Sequence, residues 1–143
     1  MDCSGRAVPV HRARGVNTRR DRGIAAYARI FDIAEGEVVH AVASRVGPVF
    51  AGEALEAAGG DAWSNPALTG RERSIAIITA LAAQGVSGDR LSTHLQLAAQ
   101  ERLDYDALTA LMTLLAGYLG YPRASLAMEA VHGWARSPRA GSG

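Results

Sequence analysis

Apolar residues recur at helical spacing along most of the chain. The first such stretch has apolar positions at i, i+3, i+4 and i+7, namely Ile24, Tyr27, Ala28 and Phe31. A second run, with valines at 38, 39, 42 and 46, should end near Gly47, because the following proline disfavours helical geometry. A third helix is predicted over residues 49–58, before a glycine pair. Strand-like alternation is not sustained anywhere, so the pattern predicts an all-α fold of about six to seven helices.

The second half of the chain carries clear helix-start and helix-stop signals. Thr69 and Glu72 have the spacing of a capping box, which predicts a helix from there to about Gln84, before Gly85. Ser87 is the expected N-cap of the next helix. The preceding segment DAWSNPALTG, residues 61–70, is predicted to be a loop.

Two further helices complete the predicted core. Asp104 should open the first of them, and Pro122 suits the first turn of the last helix, which runs to about Ala135. After its first turn, the stretch 71–83 is apolar on nearly every side, which predicts a central, buried helix.

Length and composition fit one folded domain. The chain has 143 residues, of which 48% are hydrophobic. We expect a flexible basic arm over residues 1–18, a helical domain over 19–136 and a flexible tail over 137–143. No apolar run approaches the ~20 residues that span a bilayer, so we predict no membrane partner and a cytoplasmic location. The single cysteine, Cys3, rules out a disulfide framework.

The net charge of +1 conceals an uneven distribution. Residues 1–23 contain six arginines against two aspartates. Such an arm suits nucleic acid, but it has no aromatic residues for base stacking, so a solvated leader is favoured. All fifteen basic residues are arginines, which excludes Schiff-base catalysis by lysine.

A set of spaced residues in the second half resembles the carboxymuconolactone decarboxylase family. The set comprises Trp63-x-x-Pro66-x-Leu68, Arg71-x-Arg73 at the start of an apolar helix, His94 on the next helix, and Tyr118-x-Gly120-x-Pro122. Each piece is weak alone, but their order and spacing together are fairly specific. The resemblance covers about residues 48–135.

The resemblance implies an alkylhydroperoxidase D-like helical fold, assembled as a homo-oligomer such as a trimer or hexamer. The founding enzymes convert 4-carboxymuconolactone to the enol-lactone of 3-oxoadipate and carbon dioxide without a cofactor. The peroxidase branch uses Cys-x-x-Cys-x-x-x-His, but Ser87 and Arg90 occupy the two cysteine positions here. A thiol peroxidase is therefore excluded, because neither residue forms a thiolate.

The decarboxylase branch fits with one departure. A glutamate and a histidine or glutamine usually precede Tyr-x-Gly-x-Pro, whereas the equivalent positions here are Ala110 and Leu114. Asp61 matches an acidic residue in the loop before the tryptophan. The loss of the polar pair puts the founding reaction in doubt, but an anion-binding pocket remains expected.

His94 and Tyr118 are the main catalytic candidates, and each has a structural alternative. His94 lies in an apolar stripe, where it is either a satisfied core residue or, as the resemblance implies, an acid/base kept neutral by its surroundings. Tyr118 either donates a hydrogen bond to a developing enolate or packs in the core.

The polar residues around position 72 have similar alternatives. Arg71 and Arg73 are about 200° apart on a helix, so only one faces inward, and we favour Arg73 as the ligand of a substrate carboxylate. Arg71 is assigned to the surface or a subunit interface. Glu72 is a candidate acid, although the capping role accounts for it fully. Trp63 is expected to anchor the loop, near a subunit boundary or the substrate.

The preferred hypothesis is a cofactor-independent lyase or isomerase acting on a small carboxylated or lactone metabolite. His94, Tyr118 and Glu72 are the catalytic candidates, and Arg73, Arg71 and Trp63 are the substrate-binding ones. We predict no metal, because no histidine pair has ligand spacing. The alternative is a non-catalytic member that binds a ligand or supports assembly in a biosynthetic pathway.

Overall fold

The computed structural model describes residues 17–138 as a set of α-helices. There are eight in this range: α1 Arg19–Phe31, α2 Glu35–Val46, α3 Pro48–Ala58, α4 Asp61–Ser64, α5 Gly70–Gln84, α6 Asp89–Gln100, α7 Tyr105–Leu119 and α8 Tyr121–Ala135. Over the same residues there is no strand, which confirms the all-α fold. Most of the predicted arm (1–18) and most of the predicted tail (137–143) lie outside the described residues.

Hydrogen bonds at the helix starts explain several boundaries. The Thr69 hydroxyl accepts from the Glu72 amide at 3.2 Å, and a Glu72 carboxylate oxygen accepts from the Thr69 amide at 2.7 Å, which confirms the predicted capping box. Asp104 accepts from the Ala107 amide at 2.9 Å and opens α7 as predicted. Pro122 lies in the first turn of α8.

Two predictions about the connections were wrong. Ser87 is not the N-cap of α6; Gly88 is, with φ 67°, and it makes no side-chain capping bond. A glycine reaches this φ without steric cost, so the helix begins one residue later than a serine cap would place it. The segment 61–70 is not wholly a loop, because residues 61–64 form the short helix α4.

The buried side chains form two clusters at opposite ends of the chain. The first lies among α1, α2 and α3 and contains Val38, Val42, Ala51 and Leu55. The second lies among α5, α6, α7 and α8, and its largest fully buried members are Ile78, Leu91, Leu95, Leu103, Leu108, Met112 and Val131. Helix α1 also contacts α6, where Arg29 and Glu101 form an ion pair at 3.3 Å. The two clusters are therefore joined through α1.

Helix α1 crosses α3 with the two backbones in direct contact. A Cβ on Gly23 would overlap the carbonyl oxygen of Leu55, and one on Gly59 would overlap that of Arg19. Beside the crossing, the side chain of Arg19 donates to the Glu56 carbonyl at 2.8 Å, and that of Arg22 donates to the Gly59 carbonyl at 2.9 Å. Both arginines therefore satisfy carbonyls at the carboxyl end of α3.

Within the described chain, helix α5 is buried on one face only, so the prediction of a central, buried helix was wrong. Its buried residues are Ser74, Ile78 and Ala82, whereas Ala76 and Ala80 are exposed. The apolar character of its outer face comes largely from alanines, and no described element of the same chain covers them. No described helix has the length and apolarity needed to span a bilayer.

The crossing gives a stability prediction. We expect Gly23→Ala and Gly59→Ala each to lower the free energy of unfolding by about 1–3 kcal/mol, because the added Cβ meets backbone that must shift. Gly36→Ala is the matched control, since nothing lies within 4 Å of the position that its added methyl group would take. Urea unfolding of the three variants measures the effect. Equal midpoints for all three would show that the close approach is not a constraint.

Candidate functional site

His94 lies on α6 beside the buried residues Leu91, Leu95 and Ala98. Its side chain is half-buried, and neither ring nitrogen has a hydrogen-bond partner among residues 17–138. Burial lowers the pKa of His94 below its ordinary value, because an apolar surrounding disfavours the charged imidazolium. The imidazole is therefore neutral near pH 7 and has a free lone pair, which is what a general base requires.

Glu72 is exposed and engaged in the cap of α5. The backbone and side-chain hydrogen bonds from Thr69 lower the pKa of Glu72, because they stabilise its ionised form. A general acid must hold its proton at the working pH. The arrangement therefore supports the capping role of Glu72 and gives no support to the acid role.

Both arginines at the start of α5 donate to backbone carbonyls. Arg73 is half-buried; its Nε donates to the Ala62 carbonyl at 3.1 Å, and its Nη2 donates to the Asn65 carbonyl. Arg71 is exposed and donates through Nη1 to the Arg102 carbonyl at 2.5 Å. Arg73 thus ties α4 and the following loop to α5, and Arg71 ties α5 to the end of α6.

The remaining candidates lie apart from these residues. Tyr118 is on the outer face of α7 with 81% of its surface exposed, next to exposed Leu114 and Gly117. It is not a core aromatic. Trp63 is half-buried on α4, and Asp61 is exposed in the first turn of the same helix.

The register of α5 against α6 separates His94 from Arg73. The two helices are antiparallel, and Gly70 and Arg71 meet Glu101 and Arg102 at one end of the pair. His94 is therefore level with the middle of α5, about one to two turns beyond Arg73. His94, Arg73 and Tyr118 line neither of the two grooves described next.

Two grooves on the described surface contain none of the residues predicted from the sequence as part of a site. The smaller, of about 420 Å³, lies beside Tyr105, Met128 and His132, where the Tyr105 hydroxyl is 3.1 Å from His132 Nδ1. The larger, of about 850 Å³, lies where the two helical clusters meet and includes Phe31 and Trp134. Helical periodicity placed Phe31 on an apolar face but gave no signal that Trp134 would join it, because they are distant in sequence.

The described residues contain no group of three histidine, cysteine, aspartate or glutamate side chains placed to hold a metal ion. The described residues thus form an all-α fold with a partly buried histidine on the second helix of the α5–α6 hairpin. The comparison with protein families is specific: residues 50–133 match the carboxymuconolactone decarboxylase family, so the chain belongs to this family. No curated protein and no solved structure gives a significant match.

The contacts of Arg73 give a local-stability prediction. We expect Arg73→Gln to increase amide hydrogen exchange in residues 61–69 by about fivefold, because the loop loses hydrogen bonds worth about 1 kcal/mol. The matched control is Arg90→Gln, at an exposed position that makes no such contact in the described structure. Unchanged exchange in the loop would contradict a positioning role for Arg73. The guanidinium of the unaltered protein would then be available to a ligand.

Proposed function

We propose that this protein is a cofactor-independent enzyme that moves a proton on a small carboxylated or lactone metabolite. Decarboxylation, isomerisation and ring closure all fit, since each can pass through the enolate of a carbonyl group. The observation that supports the proposal is His94, a half-buried imidazole with a lowered pKa and no hydrogen-bond partner among residues 17–138. Membership of the carboxymuconolactone decarboxylase family supports the same chemistry.

The chemistry needs one group that exchanges a proton. For isomerisation, neutral His94 takes the proton from the carbon beside the carbonyl, the electron pair moves to the carbonyl oxygen, and the imidazolium returns the proton to another carbon. For decarboxylation, the carbon–carbon bond to the carboxylate breaks, carbon dioxide leaves, and a protonated His94 donates its proton to the enolate carbon.

An anionic substrate also needs a cation. Arg73 uses Nε and Nη2 for the loop carbonyls, and its Nη1 amino group is left for a substrate carboxylate. Because Arg73 and His94 are at different levels of the hairpin, a substrate would have to extend between them. A compact ligand would contact only one.

We further propose that the site is completed by self-association. The outer face of α7 exposes Leu114 at 60% and Tyr118 at 81%, with exposed Ala110 and Gly117 beside them. Covering this face with a second copy would bury apolar surface. It would also carry the phenol of Tyr118 out of water, where it can stabilise an enolate oxygen better than in solvent.

The second candidate function is a non-catalytic member that binds a ligand or supports assembly. Two observations favour it: the polar pair of the founding enzymes is replaced by Ala110 and Leu114, and neither groove is lined by His94. This candidate predicts ligand binding or self-association with no turnover. A lactone turnover assay separates it from the first.

The catalytic proposal predicts that His94→Gln abolishes turnover of 4-carboxymuconolactone while folding and assembly are retained. For this decarboxylation, in which protonated His94 is the donor, kcat/KM of the unaltered enzyme should rise as the pH falls toward the lowered pKa of His94, because only the imidazolium donates a proton. Release of carbon dioxide and loss of the lactone absorbance are the measurements.

The matched control for this experiment is His40→Gln. His40 is exposed on α2, and its ring is 3.5 Å from the Ser44 hydroxyl. This variant should keep full activity. Turnover that survives in His94→Gln would contradict the mechanism. An unaltered protein that assembles but does not turn over lactones would favour the non-catalytic alternative.

The assembly proposal predicts a change of mass on Leu114→Glu. A carboxylate on this face would have to be buried without a partner in the oligomer, which is costly, so the variant should sediment as a smaller species. Gln100→Glu adds the same group to an exposed polar position and should leave the mass unchanged. A monomeric unaltered protein at micromolar concentration, measured by analytical ultracentrifugation, would contradict the proposal.

A further inference from the structure

The larger groove, which has no part in the chemistry proposed for His94, has the features of a binding site. It is formed by the end of α1, one face of α2, the first turns of α6 and the end of α8, so both helical clusters contribute walls. Its volume of about 850 Å³ falls within the range of small-molecule sites. His94 is two residues from Gln96, which lines the groove, and hence points about 160° away around α6.

Two aromatic side chains contribute to the apolar part of the groove. Phe31 contributes one ring, and the guanidinium of Arg45 lies 4.9 Å from its centroid. Trp134 contributes the other, and its indole N–H donates to Gln96 Oε1 at 3.3 Å. This bond fixes the orientation of the Gln96 amide, so its NH₂ group is left to donate to a ligand. The walls therefore provide rings for stacking and an oriented polar donor.

Charges of both signs line the same groove. Arg45 provides a cation, and Asp32 and Asp89 provide carboxylates. Over residues 17–138 the ion pair found is that of Arg29 with Glu101, so none of these three charges is paired with another side chain. A simple anion would meet two carboxylates, and a simple cation would meet Arg45. A ligand that carries both charges can pair its anionic group with Arg45 and its cationic group with one of the two carboxylates.

We propose that this groove binds a zwitterionic amino acid with an aromatic side chain. The ligand carboxylate pairs with Arg45, its ammonium group pairs with Asp32 or Asp89, and its ring packs against Trp134. The Gln96 amide donates to the ligand carboxylate as a second contact. Binding at the junction of the two clusters would also tie them together.

The test uses the full chain and three ligands that share one ring. L-phenylalanine carries both charges, phenethylamine lacks the carboxylate, and 3-phenylpropionate lacks the ammonium group. By isothermal titration calorimetry, L-phenylalanine should bind about fivefold more tightly than either analogue, the effect of one partly exposed ion pair. No saturable binding of L-phenylalanine, or equal affinity for the three, would overturn the proposal.

One variant and its matched control test the pairing of the ligand carboxylate with Arg45. Arg45→Gln should remove the advantage of L-phenylalanine over phenethylamine and keep its advantage over 3-phenylpropionate. The matched control Arg90→Gln, an exposed arginine of α6 outside the groove, should change neither ratio. Because Arg45 also lies in the last turn of α2, a purely structural role would lower the unfolding midpoint and leave both ratios unchanged, which would overturn the assignment.

A third variant separates this groove from the proposed catalytic site. His94→Gln should leave the affinity for L-phenylalanine unchanged, because His94 does not line the groove. Loss of binding in His94→Gln would place the amino acid at the histidine instead and overturn the proposal. The outcome of the lactone assay does not affect the affinity for L-phenylalanine. The groove proposal and the catalytic proposal are therefore tested separately.

Discussion

The contact between the backbones of α1 and α3 is the constraint on which the N-terminal half depends. Helices normally pack with their axes 8–10 Å apart because side chains fill the space between them. At Gly23 and Gly59 that space is absent, and each glycine lies against a carbonyl oxygen of the other helix. The arginines at 19 and 22 hold the crossing by bonding the last carbonyls of α3. This geometry fixes the direction of α1, which then reaches α6 and carries Phe31 to the groove.

The arginines show how a structural contact limits chemistry. A guanidinium that donates to carbonyls of its own chain has fewer N–H groups for a ligand and little freedom to move toward one. Arg71 is bound in this way to the end of α6, and Arg73 to the loop before α5. An anion that binds there must therefore fit the fixed position of the guanidinium group. In this chain the arginines at the start of α5 therefore connect α5 to neighbouring segments. An anion can bind there only if it can reach Nη1 of Arg73.

Local interactions explain which parts of the fold the sequence predicts. The Thr69–Glu72 cap and the Asp104 cap involve residues three apart, and helical periodicity requires only neighbours one turn away, so both were predicted correctly. Burial of α5 depends on which other helices cover it. The apolar pattern of α5 alone therefore led to a wrong prediction of its burial. The large groove joins Phe31 to Trp134 across about a hundred residues, and no spacing rule connects them. For the candidate site, the resemblance identified His94, but only the three-dimensional structure shows that no residue of 17–138 forms a hydrogen bond with its ring.

Under the proposed function, assembly and proton transfer are physically linked. A half-buried imidazole is still partly hydrated, so its pKa is lowered only by the burial that one chain supplies. A second copy that extended from the outer face of α7 as far as His94 would remove more water and lower the pKa further, because the charged form loses more solvation than the neutral form. The same desolvation strengthens the attraction between an anionic substrate and Arg73. A carboxylate bound near His94 would act in the opposite direction by favouring the imidazolium. When carbon dioxide leaves, that negative charge moves to the enolate, so the charge that favoured the imidazolium becomes the base that accepts its proton.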